Sequence, residues 1–300
     1  MSNQVPKHDH YLPRFILRGF GKGSKRQRKA WCFTKRTDVI EEKFVDDVGA
    51  QEGYYDSPIY GIGDDGADSV LKPIENDAAV IFNRIREEES LEPLSDNDRA
   101  LLLKYVAVHA TRNPASKSNV EELLNLFSAS GMNIPPKATA HDFFAGHVKS
   151  GPHASIEHLA NKQMRLLRAS NTTGFVVSDN WIAMAADPTR INPVTRVGRA
   201  GLAVPGTELR LPLSKNLCLL LICPESSLLR INAYGDLKLN AVDVDDEWVE
   251  AFNIAQLCSA HQHVFGASDS WIWATEFLSQ DDQYRGPQKN LLFDMLRIQI

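Results

Sequence analysis

Apolar residues recur at helical spacing through the middle of the chain. Pro73 suits a first helical turn, and four apolar residues follow it at intervals of four, three and four: Ile74, Ala78, Ile81 and Ile85. Asp96 precedes a second predicted helix over about 99–112, which Pro114 ends. The same spacing predicts three more helices, over 120–130, 141–148 and 156–169.

Strand patterns lie on either side of these helices. Near the N-terminus they cover 30–33 and 39–44. In the C-terminal half they cover 174–178, 181–185, 209–213, 217–223 and 228–232. A last long helix, capped by Asp245 or Asp246, is predicted to run to about Phe265, and a strand over 271–275 follows it.

The order of these elements predicts an α+β fold, because helices and strands are segregated and no βαβ alternation occurs. We expect a single domain over residues 1–300. In it, a helical layer from the middle of the chain packs on a mostly antiparallel sheet built from N-terminal and C-terminal strands.

The composition is typical of a globular protein, since 43% of the 300 residues are hydrophobic and 24% are charged. No run approaches the ~18 apolar residues that a membrane helix needs, so no membrane association is expected. The N-terminus lacks an apolar signal region, and four irregularly spaced cysteines are too few for a disulfide framework. These features predict a cytoplasmic protein.

Positive charge is concentrated near the N-terminus. Ten Lys or Arg residues and one acid lie between Lys7 and Arg36, although the whole chain has a net charge of −5. The densest part is a predicted hairpin tip or loop over 21–29, whose basic residues are Lys22, Lys25, Arg26, Arg28 and Lys29. Such a cluster either keeps the tip solvated or binds the phosphates of a nucleic acid or nucleotide.

The motif search finds no Gly-rich phosphate loop, no GxSxG and no HExxH. One metal-like spacing occurs near the end of the last long helix, where Cys258, His261 and His263 form C-x2-H-x-H. Cys258 and His261 share a helix face, but His263 does not, so a zinc site there needs distant ligands. The alternative is that they are ordinary residues at a helix end. The sequence therefore leaves the metal unknown.

Six polar residues in apolar or turn surroundings are the candidate catalytic set: His10, Glu75, His109, Arg112, Asp179 and Asn253. An imidazole exchanges protons near neutral pH, a guanidinium binds phosphate oxygens in pairs, and carboxylates orient water or hold Mg²⁺. Asp179 with Glu208 and Arg210 also weakly resembles the acid-then-ExK pattern of restriction nucleases. For each residue a structural role is the alternative, such as a turn-forming Asp179 or a dipole-compensating Glu75.

Several segments, taken in order, resemble the signature of a large, mostly bacterial family catalogued as domain of unknown function 4238. HYLPRFILRGF is similar to its opening His-Tyr-x-Pro-x-Phe-x-Leu-x-x-Phe, and HATRNP to its Arg-x-Pro helix end. FVVSDNW resembles its Ser-Asp-Asn-Pro turn, with Trp181 in place of Pro. The Ile-Glu start of a helix, ELRLPLSKNLCLLL and VEAFNIAQLCSAHQHVF complete the series over about residues 8–268.

The resemblance implies one domain and a shared polar cluster of His10, Glu75, Arg112, Asp179 and Asn253. His109 stands where the family more often has Gln. The family supplies no established activity, but similar small bacterial proteins often lie among mobile defence and toxin genes.

Two functions are therefore expected. The first is a nuclease or phosphodiesterase-like hydrolase acting on nucleic acid or nucleotides in a defence or toxin setting. Its carboxylates would either orient water or hold Mg²⁺, so the sequence leaves the cofactor unknown. The alternative is a non-catalytic regulatory protein that binds nucleic acid or protein. The enzyme predicts that the candidate residues meet in one cleft, whereas the regulatory protein predicts that they hold the helical layer on the sheet.

Overall fold

We describe the fold from a computed structural model of the chain. The structure describes residues 8–24, 27–61, 66–131, 139–150, 152–169, 172–187, 189, 201–202, 204–226 and 239–287. Lys25, Arg26 and the predicted strand over 228–232 lie outside the described residues.

Eight α-helices occur in these ranges, together with a 3₁₀ turn over Asp282–Arg285. They are α1 (Arg14–Leu17), α2 (Asp68–Glu88), α3 (Asp96–Arg112), α4 (Pro114–Ala129), α5 (Ala140–Ser150), α6 (Pro152–Ala160), α7 (Asp246–Ser259) and α8 (Ile272–Gln280). No helix in the described part of the chain is long and apolar enough to cross a membrane.

The described strands form three sheets. The strands are β1 (His8–His10), β2 (Lys29–Thr34), β3 (Val39–Phe44), β4 (Ala50–Glu52), β5 (Gln163–Ala169), β6 (Val177–Ser178), β7 (Ala183–Ala185), β8 (Glu208–Pro212), β9 (Leu217–Ile222), β10 (Val242–Val244) and β11 (His263–Gly266). Their orders are β1-β4, β10-β5-β9-β8-β7 and β3-β2-β11-β6. Every pairing except the parallel pair of β5 and β10 is antiparallel.

The predicted α+β class with mostly antiparallel strands is confirmed. The strands are divided between sheets in a way that the pattern did not predict. In the four-stranded sheet, the N-terminal hairpin β2-β3 pairs with the C-terminal β11, while the five-stranded sheet is built from the second half of the chain alone. The candidate residues therefore lie where helices meet two different sheets.

Helices α2 and α3 follow the pattern closely, with differences at their first turns. Ile74, Ala78, Ile81 and Ile85 are all buried in the main core. Pro73 lies inside α2, because the helix begins at Asp68. Ser95 caps α3 in a reciprocal capping box with Asp98, so the helix begins at Asp96, three residues before the predicted start.

Two sequence predictions of secondary structure are wrong. The predicted helix over 156–169 ends at Ala160, and its second half is the central strand β5, whose buried Leu166 and Leu167 pair with β9. Buried apolar runs do not separate helix from strand by period alone. The predicted strand over 271–275 is the start of α8, where Ala274 and Leu278 form a buried helical face.

Helix α7 holds the two larger sheets together through the side chain of Gln256, which is fully buried. Its Oε1 accepts hydrogen bonds from the backbone N–H (2.9 Å) and the hydroxyl (2.8 Å) of Ser178 in β6. Its Nε2 donates to the carbonyls of Trp181 (2.9 Å) and of Arg210 in β8 (3.2 Å). Asp245 caps this helix, which ends at Ser259, before the predicted Phe265.

We predict that Gln256→Ala lowers the free energy of unfolding by about 3 kcal/mol, because it leaves several buried backbone groups without partners at about 1–3 kcal/mol each. Chemical denaturation measures the change. Gln280→Ala, at the exposed end of α8, is the matched control and should change stability by less than about 0.5 kcal/mol. Equal stabilities of the two variants would contradict the assignment.

Candidate functional site

Arg112 lies at the last turn of α3 and is completely buried. Its Nη1 is 2.5 Å from Oε1 of Glu75 on α2, and its Nη2 donates to the backbone carbonyl of His10 at 3.4 Å. Burial lowers the pKa of Arg112, but the combined effects of the Glu75 carboxylate and of the Tyr55 and Tyr105 hydroxyls outweigh burial, and the pKa is raised overall. The guanidinium is therefore a fixed internal cation that joins α2, α3 and β1.

Two of the candidate residues around Arg112 reach the surface. The side chain of Glu75 keeps 29% of its surface exposed. His10 is half-buried, and its Nε2 accepts a hydrogen bond from Nε of Arg14 at 3.2 Å. Its backbone carbonyl also accepts a hydrogen bond from the Tyr55 hydroxyl at 3.3 Å. The structure thus brings His10, Glu75 and Arg112 together, with Arg112 as the link.

His109 is completely buried one helical turn before Arg112. Its Nε2 donates to the Asn180 carbonyl at 3.2 Å, and its ring packs edge-on against Trp181 at 4.9 Å between centroids. Burial, and then the positive charge of Arg112, hold the pKa of His109 well below the usual 6.5. The imidazole is neutral at physiological pH and has no solvent access, so its role in the structure is that of a hydrogen-bond donor.

Asp179 follows β6 and has only 1% of its surface exposed. Its carboxylate accepts three backbone hydrogen bonds, from the N–H groups of His261 (2.7 Å), Gln262 (2.7 Å) and His263 (2.8 Å). These N–H groups belong to the two residues before β11 and to its first residue. Asp179 therefore closes the connection between α7 and β11, and its oxygens are already engaged.

Asn253 belongs to the buried face of α7 and is also fully engaged. Its Oδ1 accepts from the Val176 N–H at 2.9 Å, and its Nδ2 donates to the Gly174 carbonyl at 2.9 Å. This pairing holds the extended segment before β6 against the helix. Asn253 has no contact with His10, Glu75 or Arg112 among these bonds.

The sequence analysis missed residues that complete the arrangement. Asn180 donates from its side chain to the Ser259 carbonyl and accepts from the Ala115 N–H at 3.3 Å. Trp181 has a φ of +56°, a value that a proline ring does not permit. Its Nε1 donates to the Pro212 carbonyl at 2.9 Å. A non-glycine residue at positive φ has no signal in a sequence pattern.

No group of three metal-binding side chains occurs in the described ranges. The residues of the C-x2-H-x-H pattern point to different surroundings. Nδ1 of His263 lies 3.2 Å from the Thr34 hydroxyl and 3.6 Å from the Cys32 sulfur, whereas His261 lines a cavity.

That cavity has a volume of about 270 Å³ and lies between α4, β4 and the residues that follow α7. Tyr11, Tyr54, Lys117, Glu121 and Asp179 contribute to its lining. The Lys117 ammonium lies over the Tyr54 ring, 4.8 Å from its centroid. Of the six candidate catalytic residues, Asp179 is the one that the lining includes. Apart from His261, which belongs to the C-x2-H-x-H pattern, the sequence pattern gave no sign of the other lining residues, because they come from separate segments of the chain.

The basic hairpin is the second solvent-facing feature. Lys22 and Lys29 pair in antiparallel register, with backbone hydrogen bonds of 2.8 and 2.9 Å. Nη1 of Arg28 donates to the Arg18 carbonyl at 3.1 Å, which brings the hairpin against the end of α1. Lys29 is paired with Glu42 at 3.0 Å.

Comparison with known families places the whole arrangement in one of them. The family described as "Protein of unknown function (DUF4238)" matches residues 8–270, which is most of the chain. The chain belongs to this family. Searches of curated proteins and of solved structures each found no match. The function of this DUF4238 protein therefore has to be argued from the geometry above.

For this DUF4238 protein we predict an asymmetric cost of breaking the buried ion pair. Glu75→Gln should lower the free energy of unfolding by about 3 kcal/mol, because the Arg112 charge stays buried without compensation. Arg112→Met should cost less, because the remaining Glu75 carboxylate reaches water. Chemical denaturation of both variants and of the double variant measures the coupling; exposed Glu87→Gln on α2 is the control. Strictly additive effects would show that the pair is not coupled.

His109 should make the stability of the DUF4238 protein depend on pH. Below about pH 6.5 the unfolded chain protonates this histidine and the folded chain does not, so stability falls as pH falls, by at most about 1.4 kcal/mol per pH unit. His109→Gln keeps a donor for the Asn180 carbonyl and should reduce the slope of the profile between about pH 6.5 and pH 5; burial also lowers the pKa of His147 and His263, so part of the slope remains. Exposed His158→Gln on α6 is the control and should leave it unchanged. Identical profiles for wild type and His109→Gln would contradict the buried neutral state.

Proposed function

We propose that this DUF4238 protein binds nucleic acid through a basic surface formed by Arg14, Arg18, Lys22, Arg28, Lys29 and Arg86. In this proposal the buried polar residues hold helices and sheets together, and binding takes place on the outside. The gathering of three arginines, Arg18, Arg28 and Arg86, is the observation that carries the proposal.

These arginines come from three elements. Arg86, near the end of α2, donates from Nη1 to the carbonyls of Phe15 (2.7 Å) and Leu213 (3.2 Å). The pKa of Arg86 is lowered to about 10, mainly by burial and next by the positive charge of Arg28; Arg18 lowers it less, and the Glu87 charge opposes them with an effect smaller than that of Arg28. Mutual repulsion of this kind is relieved when an anion binds between the guanidinium groups.

Few carboxylates neutralise this surface. Asp46 lies 3.6 Å from Arg14 and 3.9 Å from Arg18, so two cations share one acid. Lys29 has Glu42. Within the described ranges, Arg28 and Arg86 have no carboxylate within the 4 Å ion-pair distance. This surface carries more cations than a hairpin needs to stay solvated. The excess of positive charge favours phosphate groups as its partner.

A repeated anion fits this surface better than a single one, because the cations extend from α1 and α2 along the hairpin. Nucleic acid is the polymer that supplies phosphates at regular spacing, and each neutralised phosphate releases counterions. Contacts of this kind are to the backbone and give little sequence preference.

Fluorescence anisotropy with labelled single-stranded RNA and DNA, over a series of salt concentrations, tests the proposal. We predict that affinity falls steeply with salt and that Arg28→Gln weakens binding to all sequences, with the slope of log K against log salt reduced by about 1. The double variant Lys22→Gln, Arg28→Gln should reduce the slope of log K against log salt by about 2.

Lys72→Gln is the matched control, since it removes one exposed charge from α2 about 20 Å along the helix from Arg86. It should leave both affinity and slope unchanged. Equal binding by wild type and the Lys22→Gln, Arg28→Gln variant would overturn the proposal.

A phosphodiester hydrolase is the second candidate function, favoured by the contact of Arg112 with both Glu75 and the His10 segment. The half-buried His10 and the partly exposed Glu75 would then act as proton carriers beside that fixed cation. Incubation of the same oligonucleotides and of nucleotides, with and without Mg²⁺, measures it. A folded His10→Ala variant that loses turnover would support the hydrolase, and absence of product from wild type would exclude it for these substrates.

A further inference from the structure

The cavity beside α4 is lined by hydrogen-bond donors that have no acceptor. The Lys117 ammonium lies over the rings of Tyr54 (4.8 Å) and Phe144 (5.9 Å), and among the described residues it has neither a carboxylate within ion-pair distance nor a hydrogen-bond acceptor. A half-buried ammonium that contacts only aromatic faces keeps all three N–H bonds available.

Tyr54 adds a second donor. Only 2% of its surface is exposed, and its hydroxyl has no hydrogen-bond partner within the described part of the chain. Nδ1 of His261, which lines the same cavity, is also buried and has no partner there. Buried polar groups are normally satisfied, so these two groups, together with the unpaired Lys117 ammonium beside them, indicate a polar ligand that enters from outside.

Asp179 and Glu121, the two carboxylates of the cavity, do not act as the acceptor for these groups, and the reason differs between them. The oxygens of Asp179 are engaged by three backbone N–H groups. Burial lowers the pKa of Lys117, and the Glu121 charge raises it by less, which shows that the acid does not fully compensate the ammonium. Glu121 is then available as an acceptor for hydroxyl or amino groups of a ligand.

The walls and the size of the cavity limit the ligand further. The rings of Tyr11 and Tyr54 lie 5.2 Å apart, tilted by 46°, and Pro114 adds another apolar surface. Aromatic and proline surfaces of this kind take the flat face of a planar ring. A volume of about 270 Å³ is just below the ~300–1,000 Å³ of ordinary small-molecule sites. This volume suits one compact molecule.

We propose that this cavity binds a small organic anion of the nucleoside monophosphate class. Its phosphate contacts the Lys117 ammonium and the Tyr54 hydroxyl, its ring lies against the tyrosines, and its hydroxyl or amino groups face Glu121. The site is separate from the basic surface and does not depend on nucleic-acid binding there.

Isothermal titration calorimetry with adenosine 5′-monophosphate, adenosine and inorganic phosphate tests the proposal. The monophosphate should bind at least about tenfold more tightly than adenosine, because a hydrogen bond to a charged group contributes more than a neutral one. Lys117→Met keeps the packing against the two rings and should weaken monophosphate binding by about tenfold or more. Tyr54→Phe removes only the hydroxyl and should weaken it severalfold.

Lys104→Met on α3 is the control, because it removes the same charge outside the cavity lining. If Lys117→Met leaves the affinity for the monophosphate unchanged, the proposal is overturned. Equal binding of adenosine and its monophosphate, or the absence of monophosphate binding by a folded wild type, would also overturn it. If inorganic phosphate binds, Lys117→Met abolishes that binding and the monophosphate does not bind, the cavity is an anion site but the nucleoside class of the ligand is overturned.

The same variants separate this site from the basic surface. Arg28→Gln should leave monophosphate binding unchanged, and Lys117→Met should leave oligonucleotide binding unchanged. Loss of both activities in either variant would contradict the independence of the two sites.

Discussion

The buried turn at 179–181 is the constraint on which the fold depends, since every one of its polar groups has to be satisfied away from water. Asp179 binds the N–H groups before β11, and the Asn180 carbonyl accepts the bond from His109. The indole of Trp181 reaches β8 at the Pro212 carbonyl. Helices α3, α4 and α7 and two sheets are thereby fixed around three consecutive residues, at the cost of a positive φ at Trp181.

A second buried charge extends this arrangement to the N-terminus. Arg112 lies three residues after His109, and through Glu75 and the His10 carbonyl it joins α2 and β1 to the same helix. Since a buried cation is tolerated only with a close counter-charge, the position of α2 relative to α3 is tied to this one ion pair. Polar residues that suggest catalysis in the sequence are thus engaged in holding elements together.

Functional surfaces therefore lie next to this framework. The basic surface uses the outer side of α1, α2 and the hairpin, where cations exceed the acids within reach. The cavity lies beside Asp179, where the Tyr54 hydroxyl, the Lys117 ammonium and Nδ1 of His261 have no hydrogen-bond partner among the described residues. Both features share one physical origin: polar groups that the fold positions but does not satisfy.

The sequence by itself determined the α+β class, the buried face of α2, the end of α3 before Pro114 and the basic character of the hairpin. These depend on local period, caps and composition, which are properties of short segments. Tertiary structure alone decided that β5 is a strand, that α8 is a helix and which partners Asp179, Arg112 and Asn253 take. A side chain's partner across 70 or more residues, as for Asn253 and Val176, is set by packing of the whole chain, and no local pattern encodes it.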